Sequence, residues 1–386
     1  AILNSALELR RITQEQSNSS VVINNVMIMK VLRQVKPGIH PEIEMGRYLT
    51  QRGFANVAAT LGEVARISAD GTPYALIVLQ RYIDNQGDAW QWSLDTLERA
   101  MQAESSDKVR QQAIGRLQEP VGTDENSAFA ELVTFARLLG QRLGEMHSLL
   151  GQPSDDPAFH PEPITEPVWK EWAQAAARQL EAAFEILQMK GEWASAGEAG
   201  RAKRLLSQRE ALLRRIDTLA RAAQGSSRLR LHGDLHLGQV LIGSTDLYIV
   251  DFEGEPAKPL EQRRAKGSPL RDVAGLVRSF DYAAAFGNTM GPTDLDDAAL
   301  ASKKDILQRF APACKAALLE GYRVGNPTLE QNLPLSAQAQ LLDLFTLEKA
   351  AYEICYEAAN RPTWMHVPLD GLAAIADRIL AEPEAS

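Results

Sequence analysis

The sequence predicts an α+β fold in two lobes, a small N-terminal lobe built on a sheet and a larger, mainly helical C-terminal lobe. Three observations predict it. The chain has 386 residues, more than one hydrophobic core usually serves. Its apolar pattern changes from strand-like alternation to helical periodicity near Trp90. Far beyond that change, residues 229–256 read as a short hairpin with an aspartate at each end.

Residues 8–13, 20–23 and 26–31 read as three strands, with Asn24-Asn25 as a turn. In the third, Val26, Ile28 and Lys30 share one face by period-two alternation, so Lys30 ends an apolar face. The loop Gln16-Ser17-Asn18-Ser19-Ser20 has small side chains that let backbone amides approach a phosphate, and hydroxyls that add donors. Pro41 suits the first turn of a helix over residues 42–51. Either Glu42 or Glu44 is available to pair with Lys30, and helical spacing does not choose between them. Residues 54–62 and 63–82 resume strand patterning, with 75–79 as a buried strand. Residues 80–83 read as a hinge and 84–88 as the exit from the first lobe, which sets the lobes at 1–83 and 84–386.

In the second lobe Leu132, Phe135, Leu139, Leu143 and Met146 form one helical stripe, with His147 beside it as a structural residue. Residues 152–167 form a Pro- and Asp-rich connection, and 168–191 and 200–223 read as two long helices. Ser268 as N-cap and Pro269 at the first helical position open a helix that carries Asp272 in its first turn. Near the C-terminus Tyr352 and Tyr356, and Glu353 and Glu357, are i,i+4 pairs that make adjacent aromatic and carboxylate stripes.

Composition excludes several classes. A formal charge of -9 without clustered Lys and Arg argues against a nucleic-acid surface. No apolar run approaches the roughly 18–20 residues of a spanning helix, and no basic-then-apolar signal opens the chain. A cytoplasmic protein without membrane or nucleic-acid partners is expected. Cys314 and Cys355 lack CxxC spacing and read as reduced core residues, neither disulfide nor metal site. The chain does not begin with Met and is expected to be a segment of a longer polypeptide.

The chemistry gathers in the hairpin. Asp234 precedes its first strand in a tight Gly233 loop, Gln239 follows five residues later, and Asp251 closes the second strand, so antiparallel pairing brings them to one edge. This layout resembles the catalytic loop and metal-binding strand of the protein kinase and aminoglycoside phosphotransferase-like superfamily, where His-x-Asp-x-x-x-x-Asn precedes a second aspartate. Phosphoryl transfer spreads negative charge over oxygens, so a site needs a held Mg²⁺ and an oriented hydroxyl. Asp251 suits a hard ligand, and Gln239, standing where the superfamily usually has Asn, offers a neutral amide oxygen. Asp234 suits the base that takes the hydroxyl proton. In such a lobe Lys30 occupies the place of the ATP-phosphate lysine.

A narrower resemblance covers nearly the whole chain. Residues 15–20, His232-Gly233-Asp234-Leu235-His236-Leu237-Gly238-Gln239, Asp251-Phe252-Glu253-Gly254-Glu255-Pro256, residues 268–282 and residues 348–364 resemble the bacterial maltokinases, including the maltokinase halves of trehalose synthase fusions. The resemblance implies a bilobal protein kinase-like fold that uses ATP and Mg²⁺ to phosphorylate the anomeric hydroxyl of maltose. It implies Asp234 as base, Gln239 and Asp251 as metal ligands, Lys30 with Glu44 as its partner, and Ser17, Asn18, Ser19, Ser20, Gln80 and Tyr82 around the nucleotide. Asp272 becomes a brace for the catalytic loop, and His236, Tyr352, Glu353, Tyr356 and Trp364 meet the sugar, with Trp364 as a lid. It also implies fusion to, or association with, trehalose synthase. One departure from the family pattern is the short segment ahead of the phosphate loop, where maltokinases usually carry an N-terminal cap. The family's sugar-kinase relatives also include enzymes acting on glucosamine. A kinase for glucosamine or an aminoglycoside is therefore the alternative, and a non-catalytic module of a fusion protein is the rival from another class.

Overall fold

The computed structural model describes residues 7–12, 18–114, 128–291 and 295–381. In chain order they form β1 (Leu9–Arg11), β2 (Ser19–Ile23), β3 (Met27–Val31), α1 (Pro41–Gln51), β4 (Thr60–Ile67), β5 (Pro73–Arg81), β6 (Asn85–Asp88), α2 (Ala89–Ile114), α3 (Ala128–Leu150), β7 (Glu162–Pro163), α4 (Glu166–Met189), α5 (Ala196–Ser207), α6 (Arg209–Arg221) and β8 (Ser227–Arg228). The order continues with β9 (Val240–Gly243), β10 (Leu247–Ile249), α7 (Leu260–Arg263), α8 (Leu270–Thr289), α9 (Asp297–Gly325), α10 (Leu329–Asn332), α11 (Leu335–Asn360) and α12 (His366–Ala381). The chain divides into two compact units, one of residues 1–92 with 230–265 and one of 93–229 with 266–386. The segment with Asp234 and Asp251, grouped by the sequence reading with residues 84–386, thus clusters with the sheet unit.

The first unit holds a five-stranded antiparallel sheet in the order β1-β2-β3-β5-β4. Asn24 and Asn25 both take left-handed backbone, φ 52° and 51°, the geometry that a two-residue hairpin turn demands and asparagine tolerates. Ile43 of α1 clusters with Leu32, Ala75 and Val78, while Leu61, Val64 and Ile67 of the edge strand β4 stay exposed. Covered in this way, residues 75–79 are only partly buried: Ala75 and Val78 are inside, and Leu76, Ile77 and Leu79 are intermediate. Residues 54–59 are not a strand. Instead Val57 makes one parallel bridge to Ile249, and Asn56 Nδ2 donates to the Leu247 carbonyl at 2.7 Å.

The expected hinge also differs. β5 continues through Gln80 and Arg81, and the expected exit becomes β6, which joins the β9–β10 hairpin in a second sheet of order β10-β9-β6. The turn into β6 is made by Asn85, whose side chain donates to the Ile83 carbonyl at 2.7 Å and accepts from Gly87 N–H at 3.0 Å.

The second unit is helical, apart from the small β7–β8 pair. The stripe expected on α3 is buried together with His147. α3 and α9 meet backbone to backbone: a Cβ on Gly140 would overlap the Leu318 carbonyl, and one on Gly321 would overlap the Arg137 carbonyl. The stretch read as one helix over 200–223 is two, α5 and α6, parted at Gln208. α5 is capped by Ser195, whose hydroxyl accepts from Glu198 N–H at 3.2 Å. α8 starts one residue later than expected, with Pro269 at its N-cap and Ser268 Oγ 3.4 Å from Leu270 N. Cys314 and Cys355 are free thiols, but only Cys314 is buried in the core; Cys355 is half-buried, which corrects the expectation for it. Among the described residues no helix is long and apolar enough to cross a membrane.

Candidate active site

The hairpin register pairs Val240 with Ile249 and Ile242 with Leu247, and Val250 N–H donates to the Gln239 carbonyl at 3.0 Å. Gln239 and Asp251 therefore fall at one end of the hairpin, as its antiparallel pairing requires. Asp234 lies in the loop just before it. The same loop carries Gly233, at φ 84°, where a Cβ would stand 3.6 Å from Gly254 Cα, so this loop touches the segment after Asp251. Buried His232 ties them: Nε2 is 2.9 Å from the Val250 carbonyl, Nδ1 is 3.4 Å from Asp234 N, and the ring lies 4.9 Å from that of Phe252. A neutral imidazole protonated at Nε2 satisfies both contacts. Asp251 itself is left-handed, φ 69°, a conformation uncommon outside glycine and concentrated at functional sites.

Lys30 faces this end of the hairpin. Its Nζ is 2.8 Å from Glu42 Oε1 and 3.6 Å from Asp251 Oδ1. Burial alone would lower the lysine pKa, but the charges of Glu42 and Asp251 outweigh it and raise it. Burial likewise pushes the Glu42 carboxyl up, and is overcome by the Lys30 charge and by hydrogen bonds from Lys30 and Gln80, so the net shift is downward. The partner of Lys30 is thus Glu42, which corrects the expectation of Glu44. The two glutamates are two positions apart on α1 and face different ways. Glu44 instead receives Arg230 Nη1 at 2.6 Å and Arg264 Nε at 2.8 Å.

Other expected nucleotide residues have specific internal partners. Gln80 is buried in β5 and donates its amide to Glu42 Oε1 at 2.9 Å, so its side chain supports the ion pair, and the expectation of a hinge contact is corrected to that extent. The Tyr82 hydroxyl accepts from Arg10 Nη2 at 3.0 Å. Of the phosphate loop, Ser17 lies outside the described residues. Ser19 Oγ accepts from Arg33 Nε at 3.1 Å, Ser20 is buried, and Asn18 Nδ2 donates to Glu253 Oε1. Burial first, and then the nearby Asp251 charge, push the Glu253 carboxyl up to about 7. The sequence leaves Glu253 open only as one of several acidic residues near Asp234, because its partner Asn18 is 235 positions away. Arg230 and Arg264 are hidden from a sequence reading for the same reason, their partner Glu44 being 186 and 220 positions away.

The residues expected at the sugar divide. His236 is exposed, and its Nδ1 accepts from Gly238 N–H at 3.1 Å at the start of a short 3₁₀ turn. In the helical unit Tyr352 and Tyr356 stack with centroids 6.3 Å apart, and Trp364 stacks on Phe286 at 5.7 Å. Glu353 is buried, with Oε2 2.8 Å from Arg278 Nε, so its carboxylate is already paired and holds α11 to α8. Asp272 is buried, 3.1 Å from His147 Nε2, whose Nδ1 is 2.9 Å from the Tyr322 hydroxyl. A cavity of about 750 Å³ in this unit is lined by α8, α9, α11 and α12, and none of the expected site residues lines it.

The donor set fits Mg²⁺. Asp251 would supply a charged oxygen and Gln239 an amide oxygen, and this ion is typically held by one or two protein groups together with water and phosphate oxygens rather than by a full protein cage. Among the described residues no group of three His, Cys, Asp or Glu gathers to form such a cage.

Two curated relatives align over most of the chain. The glucosamine kinase of Mycolicibacterium smegmatis is 26% identical over 368 residues, 95% of this chain and 79% of the relative. That of Streptacidiphilus jiangxiensis is 23% identical over 363 residues, 93% and 71%. A solved glucosamine kinase in complex with glucosamine, ADP and inorganic phosphate superposes with a TM-score of 0.70 at 21% identity, covering 98% of this chain and 84% of that one. The superposition shows the kinase-like fold, with its small antiparallel sheet part and larger helical part. The sequence model of the APH phosphotransferase enzyme family matches residues 8–291, well over half of the chain, and the protein belongs to that family.

Proposed function

We propose that this phosphotransferase is an ATP- and Mg²⁺-dependent sugar kinase that phosphorylates glucosamine or a closely similar sugar. The observation that carries the reading is nearly full-length similarity to two glucosamine kinases, in a chain whose Lys30, Glu42 and Asp251 converge. Lys30 would bind nucleotide phosphate, with Glu42 holding it in place. Asp251 and Gln239 would hold Mg²⁺, which when bound neutralises charge on the transferring phosphoryl group. Asp234 would orient the acceptor hydroxyl and take its proton. The aromatic faces of Tyr352, Tyr356 and Trp364 are suited to a pyranose ring.

The second reading is transfer to maltose at its anomeric hydroxyl, favoured by the motif blocks at residues 232–239, 251–256 and 348–364. The relatives favour glucosamine over maltose, and association with trehalose synthase finds no support among them. The test is a phosphotransfer assay with ATP and Mg²⁺ across glucosamine, maltose, glucose and an aminoglycoside, with the product located by ³¹P NMR. Rapid transfer to glucosamine and little to maltose is expected. The reverse would replace the acceptor, and transfer to none of them would overturn the sugar-kinase reading.

A further inference from the structure

α1 carries two glutamates that do different work. Side chains two positions apart on a helix point about 200° apart, so Glu42 meets Lys30 of β3 and Gln80 of β5 while Glu44 meets Arg230 and Arg264. These two arginines bracket the chemistry. Arg230 stands just ahead of His232 and Asp234, and Arg264 follows α7, beyond Asp251. One carboxylate thus receives both ends of the segment that holds Asp234, Gln239 and Asp251: Oε2 accepts from Arg230 at 2.6 Å and from Arg264 Nε at 2.8 Å, and Oε1 accepts from Arg264 Nη2 at 2.5 Å. Arg230 is only 2% exposed and the Glu44 side chain 12%. A different seating of α1 would strand a buried guanidinium without its anion, a heavily penalised state. On its other flank, α1 approaches β4 closely enough that a Cβ on Gly46 would overlap Thr60 Oγ1, and Thr50 Oγ1 accepts from Thr60 N–H at 3.0 Å.

We propose that Glu44 is a positioning residue for phosphoryl transfer: by gripping both ends of the catalytic segment it fixes α1, and through Glu42 it fixes Lys30 beside Asp251. A buried ion cluster is a poor source of net stability, but it specifies one arrangement among several. The inference rests on the proposed nucleotide role of Lys30. It adds a coupling, since the lysine that meets phosphate and the segment that supplies base and metal ligands share one helix as their spacer.

The test uses the full chain with Glu44→Gln and Arg264→Ala. The second variant keeps the Arg230–Glu44 pair and changes a side chain that is 26% exposed, so it folds even if the first does not. Hydrogen–deuterium exchange of the nucleotide-free protein is read on peptides from α1, and Mg·ATP affinity is measured without any acceptor. Both variants should speed exchange in α1 and weaken ATP binding, by roughly tenfold for Glu44→Gln, and that loss should nearly vanish in a Glu42→Gln background, the non-additivity expected of residues acting through one another. Unchanged α1 exchange and unchanged ATP affinity alongside a lowered Tm would overturn the proposal, as would losses that simply multiply in the double variant. Neither readout contains a sugar, so an error in the acceptor leaves the result standing. Failure of the wild type to bind ATP would instead strike the proposed function, with α1 exchange still reporting whether Glu44 seats the helix.

Discussion

Lys30 Nζ and Glu42 Oε1 stand 2.8 Å apart between β3 and α1, with Glu42 wholly buried and its second oxygen without a hydrogen-bond partner among the described residues. Removing that charge should therefore hurt both folding and nucleotide binding. Breaking a buried pair typically costs ~3–5 kcal/mol, and the Asp251 carboxylate 3.6 Å from Lys30 will keep the loss toward the lower figure. Glu42→Gln is expected to lower Tm and raise the KM for ATP. Normal Tm together with normal KM would remove the pair from the site.

Acid should release the same region. The Glu42 and Glu44 carboxyls are both held low: burial opposes this, but Lys30 overcomes it at Glu42, and Arg264 and Arg230 overcome it at Glu44. Groups with depressed folded values contribute stability above the unfolded glutamate value, near ~4.3, and lose it as pH falls through the folded ones. The Tm difference between wild type and Glu44→Gln should hold from neutral pH to the ordinary glutamate range and shrink below it. A difference that widened in acid would contradict the assignment.

Much of this was legible in the sequence because it is local. Gly233, Asp234, Gln239 and Asp251 lie within one hairpin and the loop that leads into it, and the hairpin's register follows from alternation and turn residues. The stripe on α3 was legible for the same reason. The Lys30 partner was not: helical spacing left Glu42 and Glu44 equivalent, and only the contacts with Gln80, Arg230 and Arg264 distinguish them. Strand β6 was hidden because Asn85-Gln86-Gly87-Asp88 reads as a turn, and it becomes a strand only by pairing with β9. Tertiary pairing overrides weak local preference.

The glycines of α3 and α9 were also in plain view, at i,i+4 spacing as Gly140 and Gly144 and as Gly321 and Gly325, yet an apolar-stripe reading ignores residues that lack side chains. Each would place a new Cβ into backbone of the opposite helix, and overpacking of this kind typically costs ~1–3 kcal/mol or more. Gly321→Ala should lower Tm clearly, while Gly200→Ala, with nothing near its Cβ position, should leave Tm level or slightly raised. Equal behaviour of the two would contradict close backbone packing.

Asp234 is partly exposed and its loop is held by backbone and His232 contacts, so losing its carboxylate should spare the fold. Asp234→Ala is expected to reduce kcat by ~10²- to 10⁴-fold, the usual contribution of a positioned base, with ATP affinity retained. A variant that unfolds would make this aspartate structural.

Asp251 allows charge and backbone to be tested apart. At φ 69° a residue with an ordinary Cβ is strained by roughly 1–2 kcal/mol, whereas asparagine and glycine tolerate this region. Asp251→Asn should then fold nearly as well as wild type, Asp251→Ala should be less stable, and Asp251→Gly should not show the alanine penalty. Catalysis should follow a different order. All three lack the carboxylate proposed to hold Mg²⁺, so all three should lose turnover together. Binding of ATP measured without Mg²⁺ should survive in Asp251→Asn and even tighten, because the anion 3.6 Å from Lys30 no longer competes with phosphate for that lysine. Thermal unfolding, turnover and metal-free ATP titration on the three variants separate the effects. Near-normal turnover in Asp251→Asn would end the metal assignment, and equal stability of the alanine and asparagine variants would end the claim of backbone strain.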